Sequence, residues 1–236
     1  MNAAKKTMPY NTTGSHRKQG HPAAVIFDMD GTLVATTDAD FMAWQKLFRE
    51  YGKDLSFKDY FPLLGRKSQD VVNDVLELQG EIATAAMARK MELFEEIVSI
   101  HGIHVMPNVE AFLKRIADAG IPMALATSSR KLKMQLVMEG SGLDKYFSVF
   151  VTGEEVSMGK PNPHIFLLAA EKLGVEPKGC IVLEDAFSGV AAAKAAGMKC
   201  IAIISTHEEK DLYEADLIIE NFSQLSLEIL DECMRK

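Results

Sequence analysis

Cysteine is scarce in this chain: Cys180, Cys200 and Cys233 are the only three in 236 residues. They are far apart, odd in number and without zinc-like or redox-like spacing, so they read as reduced thiols of a cytoplasmic protein. No stretch approaches the roughly 18 consecutive apolar residues of a membrane span. A basic excess is also missing. The net charge of −7 argues against a general nucleic-acid binder, although it leaves room for a local basic pocket. Residues 1–21 lack any acidic residue and lack the apolar core of a secretory signal. With one arginine and no amphipathic pattern they read as a disordered tail or a cloning remnant rather than a transit peptide. There is no internal repeat and no low-complexity tract. What remains is ordinary for a soluble globular protein, 47% hydrophobic and 25% charged. The length suits one large domain, or a domain with a smaller companion.

Asp28-Met29-Asp30-Gly31-Thr32-Leu33 follows the apolar run Ala23–Phe27, which reads as a short buried strand. Residues two apart on a strand share a face, so both carboxylates could reach one site if the strand stayed regular. Gly31 and Thr32 then permit a sharp turn. After residue 105 strand-like and helical segments alternate. Helices are predicted over Asn108–Ala119, with Asn108 as N-cap, and over Lys131–Gly140, Pro163–Leu173 and Ser188–Ala196. Strands are predicted over Ile121–Ala126, Tyr146–Val151, Cys180–Leu183, Lys199–Ile204 and Leu217–Ile219. This alternation predicts an α/β fold, a Rossmann-like doubly wound parallel sheet covered by helices on both faces.

Residues 36–105 break the rhythm. Phe41, Trp44, Leu47 and Phe48 share one helical face, and so do Met87, Met91, Phe94 and Val98. Roughly 70 residues is too long for an ordinary crossover. The expected organisation is therefore a catalytic core of residues 22–35 and 106–236, with a helical cap of residues 36–105 inserted after the first strand. The hinges fall near Val34–Thr37 and Ile103–Pro107. A lid on two such linkers can close over the strand ends and exclude water.

Four polar segments end strands or begin the loops beyond them: Asp28/Asp30, Thr127, Lys160 and Glu184/Asp185. In a parallel sheet these ends converge on one edge. Carboxylates bind magnesium through oxygen, whereas a hydroxyl and a lysine hold phosphoryl oxygens. Two prolines flank the Lys160 segment, Gly159-Lys160-Pro161-Asn162-Pro163, and limit its backbone freedom.

With Leu125-Ala126-Thr127-Ser128-Ser129 and Val182-Leu183-Glu184-Asp185-Ala186 added, the order of segments resembles the haloacid dehalogenase-like superfamily of phosphotransferases over about residues 23–230. The helical insert resembles the small-cap subgroup, in particular its β-phosphoglucomutase and sugar-phosphate phosphatase branch. The resemblance implies that Asp28 is the nucleophile and forms an aspartyl-phosphate. It implies that Asp30 acts as general acid and then base, that Thr127 binds the phosphoryl group, and that Lys160 offsets its charge. Mg²⁺ is the implied cofactor, held by Asp28, the Asp30 carbonyl, Glu184 and Asp185.

The branch holds two activities. Mutases carry a histidine on the first cap helix where this chain has Asp40, and their Gly-x-Ser-Arg segment stands here as Gly65-Arg66-Lys67-Ser68. The missing histidine favours water as acceptor, hence a phosphatase, with the mutase as the alternative. By the same resemblance Lys90 is the cap lysine, and Ser128, Ser129 and Arg130 face the substrate. Arg66, Lys67, Lys90 and Arg130 are candidates for an anion pocket under the lid. A dehalogenase does not need the Asp30 and Glu184/Asp185 set, and Lys90 is a poor match to a Schiff-base phosphonatase. A non-catalytic phospho-ligand binding protein would have lost one of Asp28, Asp30, Lys160 or Asp185, and none is lost. The expected partner is a small-molecule phosphate ester, without nucleic acid or membrane, and the expected state is a monomer or weak homo-oligomer.

Overall fold

The computed structural model describes residues 21–235; the basic segment that precedes them lies outside the described residues. Short apolar runs bounded by turn residues become β1 (Ala24–Phe27) and five later strands. After β1 come four helices in succession: α1 (Thr37–Glu50), α2 (Phe57–Tyr60), α3 (Ser68–Asp74) and α4 (Gly80–His101). The alternating part runs α5 (Val109–Asp118), β2 (Met123–Thr127), α6 (Lys131–Ser141), β3 (Val149–Thr152) and α7 (His164–Leu173). It ends with β4 (Cys180–Glu184), α8 (Phe187–Ala195), β5 (Lys199–Ile203), β6 (Leu217–Ile219) and α9 (Leu227–Arg235).

The strands form one parallel sheet in the order β3-β2-β1-β4-β5-β6. β1 is central, in register with Met123–Leu125 on one side and Cys180–Leu183 on the other. The period-two alternation of a strand sorts its side chains into two layers. Val25, Phe27, Leu125, Leu183 and Ile201 face α5, α6 and the insert. Ala24, Ile26, Ala126, Val182 and Ala202 face α7 and α8. Both faces are dry, which is why these strands read as continuous apolar runs.

Within the insert, α1 packs on α4 through Trp44, Leu47, Phe48, Phe94 and Ile97. The two linkers that carry it are zipped together. Val34 bridges Val105, the Ala35 amide donates to the His104 carbonyl at 2.8 Å, and the Met106 amide to the Leu33 carbonyl at 2.9 Å. The insert thus leaves and rejoins the core at one point, beside the C-terminal end of β1, and α1–α4 form a cap over the strand ends. No helix among the described residues is long and apolar enough to cross a membrane.

Three local expectations are corrected. Asn108 does occupy the position before α5, but its φ of 65° is left-handed and its side chain makes no capping bond. The chain turns into α5 through backbone bonds, with the Val109 amide donating to Met106 O at 3.2 Å. Residues Asp144–Tyr146 form a 3₁₀ turn, so β3 begins only at Val149. β1 stops at Phe27, and Asp30 reaches the site from a turn rather than from a regular strand.

Candidate active site

The site begins where β1 ends. The Asp28 amide still donates to the Leu183 carbonyl at 2.9 Å, so its position is set by the sheet. Lys160 enters from the loop before α7 with no exposed side-chain surface. Its Nζ donates to Asp28 Oδ1 at 2.6 Å, Glu184 Oε1 at 2.7 Å and the Ala126 carbonyl at 3.4 Å. Burial works against its charge, but the two carboxylates outweigh that and hold the ammonium above its ordinary pKa. Glu184 uses its other oxygen on the backbone amides of Asp185 and Ala186, both at 2.7 Å. Asp185 accepts from Thr32 at 3.2 Å, Ser205 at 2.8 Å and Thr206 at 2.7 Å.

Charge is unevenly compensated. Burial pushes the Asp28 carboxyl well above its usual range, and Glu184, Asp185 and Asp30 add to this against Lys160. Burial and then Glu184 raise Asp185 to about 7, against the three hydroxyls. Lys160 is shared between Asp28 and Glu184, whereas among the described residues the Asp185 carboxylate bonds hydroxyls.

Asp30 is held on both oxygens. Thr36 and Lys133 donate to Oδ1, the latter at 2.8 Å, and Ser129 donates to Oδ2 at 2.7 Å. Lys133 also reaches Asp40 Oδ1 at 2.7 Å; Lys90 bonds the same oxygen, and Tyr60 donates to Oδ2 at 3.0 Å. Despite burial, Lys133 and Lys90 hold the Asp40 carboxyl well below its ordinary value.

A sequence model of haloacid dehalogenase-like hydrolases matches residues 22–197, the span containing Asp28, Asp30, Lys160, Glu184 and Asp185. The chain belongs to this family. It is 32% identical over 219 residues to a phosphorylated carbohydrates phosphatase of Thermotoga maritima, covering 89% of this chain and 99% of that protein. Hexitol phosphatase A of Escherichia coli is 32% identical over 203 residues, covering 86% and 92%. Among solved structures, a β-phosphoglucomutase from Clostridium difficile superposes with a TM-score of 0.83 at 25% identity, covering 91% and 97%. The chain is accordingly a phosphoric monoester hydrolase of the haloacid dehalogenase-like kind.

Members of the family use a divalent metal, and the residues here fit one. The donor set is hard carboxylate oxygen, and Asp185 is a buried carboxylate with no cation paired to it among the described residues. Among the described residues no three acidic, histidine or cysteine side chains already stand in a closed ligand cluster. Asp28, the Asp30 carbonyl and Asp185 would hold the ion. Glu184, the fourth residue expected at the metal, has Oε1 on Lys160 and Oε2 on the Asp185 and Ala186 amides.

The remaining hydrolase residues singled out from sequence are not gathered into one pocket of free cations. One cleft takes in Asp28, Asp30, Thr127, Ser128, Ser129 and Arg66. Thr127 accepts the Ser129 amide at 3.1 Å, and Ser128 donates to the cap at the Gly65 carbonyl at 2.6 Å. Arg66 pairs with Asp74 and Lys67 donates to the Val156 carbonyl at 2.7 Å. Arg130 pairs with Glu154 at 2.7 Å and faces a neighbouring hollow with Lys67 and Ser128. Lys90 is buried on Asp40. Sequence reasoning missed Lys133, Thr36, Tyr60, Thr32, Ser205 and Thr206. Lys133 did leave a trace: it shares the buried side of α6 with Met134, Val137 and Met138, a cation on an apolar face.

The packing around Glu184 makes one substitution informative. A Cβ on Gly189 would lie 1.7 Å from Glu184 Oε1. Gly189→Ala is expected to push Glu184 off Lys160, costing about 1–3 kcal/mol in a denaturant titration and most of the phosphate release. A wild-type midpoint with full activity would refute this role of Glu184.

Proposed function

We propose that this hydrolase removes the phosphoryl group from a small phosphorylated sugar or polyol, using Mg²⁺ and an aspartyl-phosphate on Asp28. The observation that carries the reading is the Asp28–Lys160–Glu184 contact, with Asp30 anchored two residues along the chain. In the first step an Asp28 oxygen attacks phosphorus and the ester P–O bond breaks. Asp30 gives its proton to the departing oxygen. In the second, Asp30 as carboxylate takes a proton from water. The water oxygen attacks phosphorus, inorganic phosphate leaves, and Asp28 is restored. Splitting the displacement in two lowers each barrier, and a placed acid–base group is worth about 10²–10⁴-fold. A carboxylate repels a phosphate dianion, and the Lys160 ammonium offsets part of that repulsion. Mg²⁺ when bound supplies further positive charge for the phosphoryl oxygens. The phosphatases to which the chain is similar support a carbohydrate phosphate as substrate.

A second reading, transfer to a sugar hydroxyl, is favoured by the likeness to β-phosphoglucomutase. The deciding experiment supplies Mg²⁺ and a panel of sugar phosphates, then β-glucose 1-phosphate primed with a trace of the 1,6-bisphosphate. Glucose 6-phosphate and free phosphate are followed together. Phosphate release with little isomer is the expected result. Isomer outpacing phosphate by orders of magnitude would establish the mutase instead.

The buried acids also predict a pH dependence. The folded, metal-free protein binds a proton on Asp185 up to about 7, against an ordinary 3.8. Its stability contribution is therefore lost as pH rises through that window. Mg²⁺ must displace the proton, so the Mg²⁺-induced rise in melting temperature should grow from pH 5 to pH 8. An increment that shrinks or stays level over that range would count against a metal on Asp185.

A further inference from the structure

Lys133 belongs to none of the four signature segments, yet it is buried at the start of α6. Its ammonium bonds two carboxylates at once, Asp30 Oδ1 at 2.8 Å and Asp40 Oδ1 at 2.7 Å. It also lies 4.7 Å from the centre of the Phe94 ring. Asp30 and Lys133 are core residues; Asp40 and Phe94 belong to cap helices α1 and α4. The other side-chain partners of Asp40, Lys90 and Tyr60, are cap residues too. Lys133 is therefore where the cap's acid and the core's acid meet on one cation. An ammonium held between two acids is more narrowly placed than one held by either alone. The contact also requires the cap to be seated on the core.

We propose that Lys133 is a positioning residue: anchored by Asp40, it sets the Asp30 carboxylate for proton transfer when the cap is closed. This rests on the acid–base role of Asp30 given above. Thr36 and Ser129 hold Asp30 from the hinge and from the loop after β2, whereas Lys133 ties its orientation to Asp40 and Phe94 on cap helices α1 and α4. Lys133 also lines the cleft, so a direct grip on the substrate phosphate is the competing role.

The test uses the full chain with Mg²⁺, Lys133→Met, Lys133→Arg, Asp40→Asn and the Asp40→Asn/Lys133→Met double variant. Each is assayed on a sugar phosphate that the wild type hydrolyses, and its folded fraction is checked by thermal unfolding. Lys133→Met is expected to lower kcat on the order of 10–100-fold, less than loss of the acid–base group itself, with KM within about threefold. Asp40→Asn should lower kcat in the same sense, and the double variant should be no worse than Lys133→Met, because both act through one contact. Lys133→Arg should recover part of the loss. If the Met variant does not fold, Lys133→Gln, which keeps a donor, is read the same way. A raised KM with kcat retained would show a substrate ligand and overturn the proposal. So would fully additive losses, or a kcat that falls only with the folded fraction. Wild-type protein that hydrolyses no phosphate ester overturns the hydrolytic reading itself, whereas an active wild type with an equally fast Lys133→Met variant overturns this inference alone.

Discussion

Asp28→Asn is expected to abolish phosphate release, by about 10⁴-fold or more as for other covalent nucleophiles, without lowering the melting temperature. The two halves of this result have one cause. The Asp28 carboxylate sits in a buried cluster with Glu184, Asp185 and Asp30, and its raised pKa means the site resists its charge when no metal is bound. An amide of the same shape removes that repulsion, while Lys160 keeps Glu184 at 2.7 Å. Chemistry suffers because the amide cannot form the acyl phosphate. The measurement is phosphate release beside a thermal melt, with mass spectrometry to exclude deamidation back to Asp. Turnover within tenfold of wild type in an intact Asn sample would remove Asp28 from the mechanism.

Lys160→Met is expected to damage both fold and activity. Asp28 and Glu184 share this one ammonium, and its removal leaves two buried carboxylates without a cation in contact. Breaking a buried pair from one side costs about 3–5 kcal/mol, a large part of the roughly 5–15 kcal/mol that holds a domain folded. Arginine should not rescue it. The side chain has no exposed surface, and Nζ lies 4.9 Å from the centre of the Phe166 ring, so the longer, planar head has no room to turn. Equilibrium unfolding in urea should show a lower midpoint for both variants, and phosphate release should be absent even where the protein is folded. A Met variant with the wild-type midpoint would mean that the contact with Asp28 and Glu184 contributes little.

These contrasting outcomes could not be read from residue order alone. Both residues stand out in the sequence as polar positions at strand ends. Which of them the fold depends on follows from how many partners each one neutralises. Glu184 makes the same point. Beside Asp185 in sequence it looks like a metal ligand, and only the fold shows that its oxygens also bond Lys160 and two amides. Asp40 is sharper still. By sequence it is the place where a mutase histidine is missing. In the fold it is a half-buried acid held by Lys133, Lys90 and Tyr60, which lie 93, 50 and 20 residues away.

The sequence by itself determined the α/β alternation, the helical insert after β1 and the family, because these depend on short-range regularities. Apolar residues at period two or 3.6 are set by neighbours along the chain, and the signature segments sit at strand ends that any parallel sheet brings to one edge. The tertiary structure decided which charges meet. That depends on the angle at which α6 meets the cap and on how far each buried carboxylate is removed from water. Such long-range packing leaves only a faint local trace, here a lysine on the apolar face of α6.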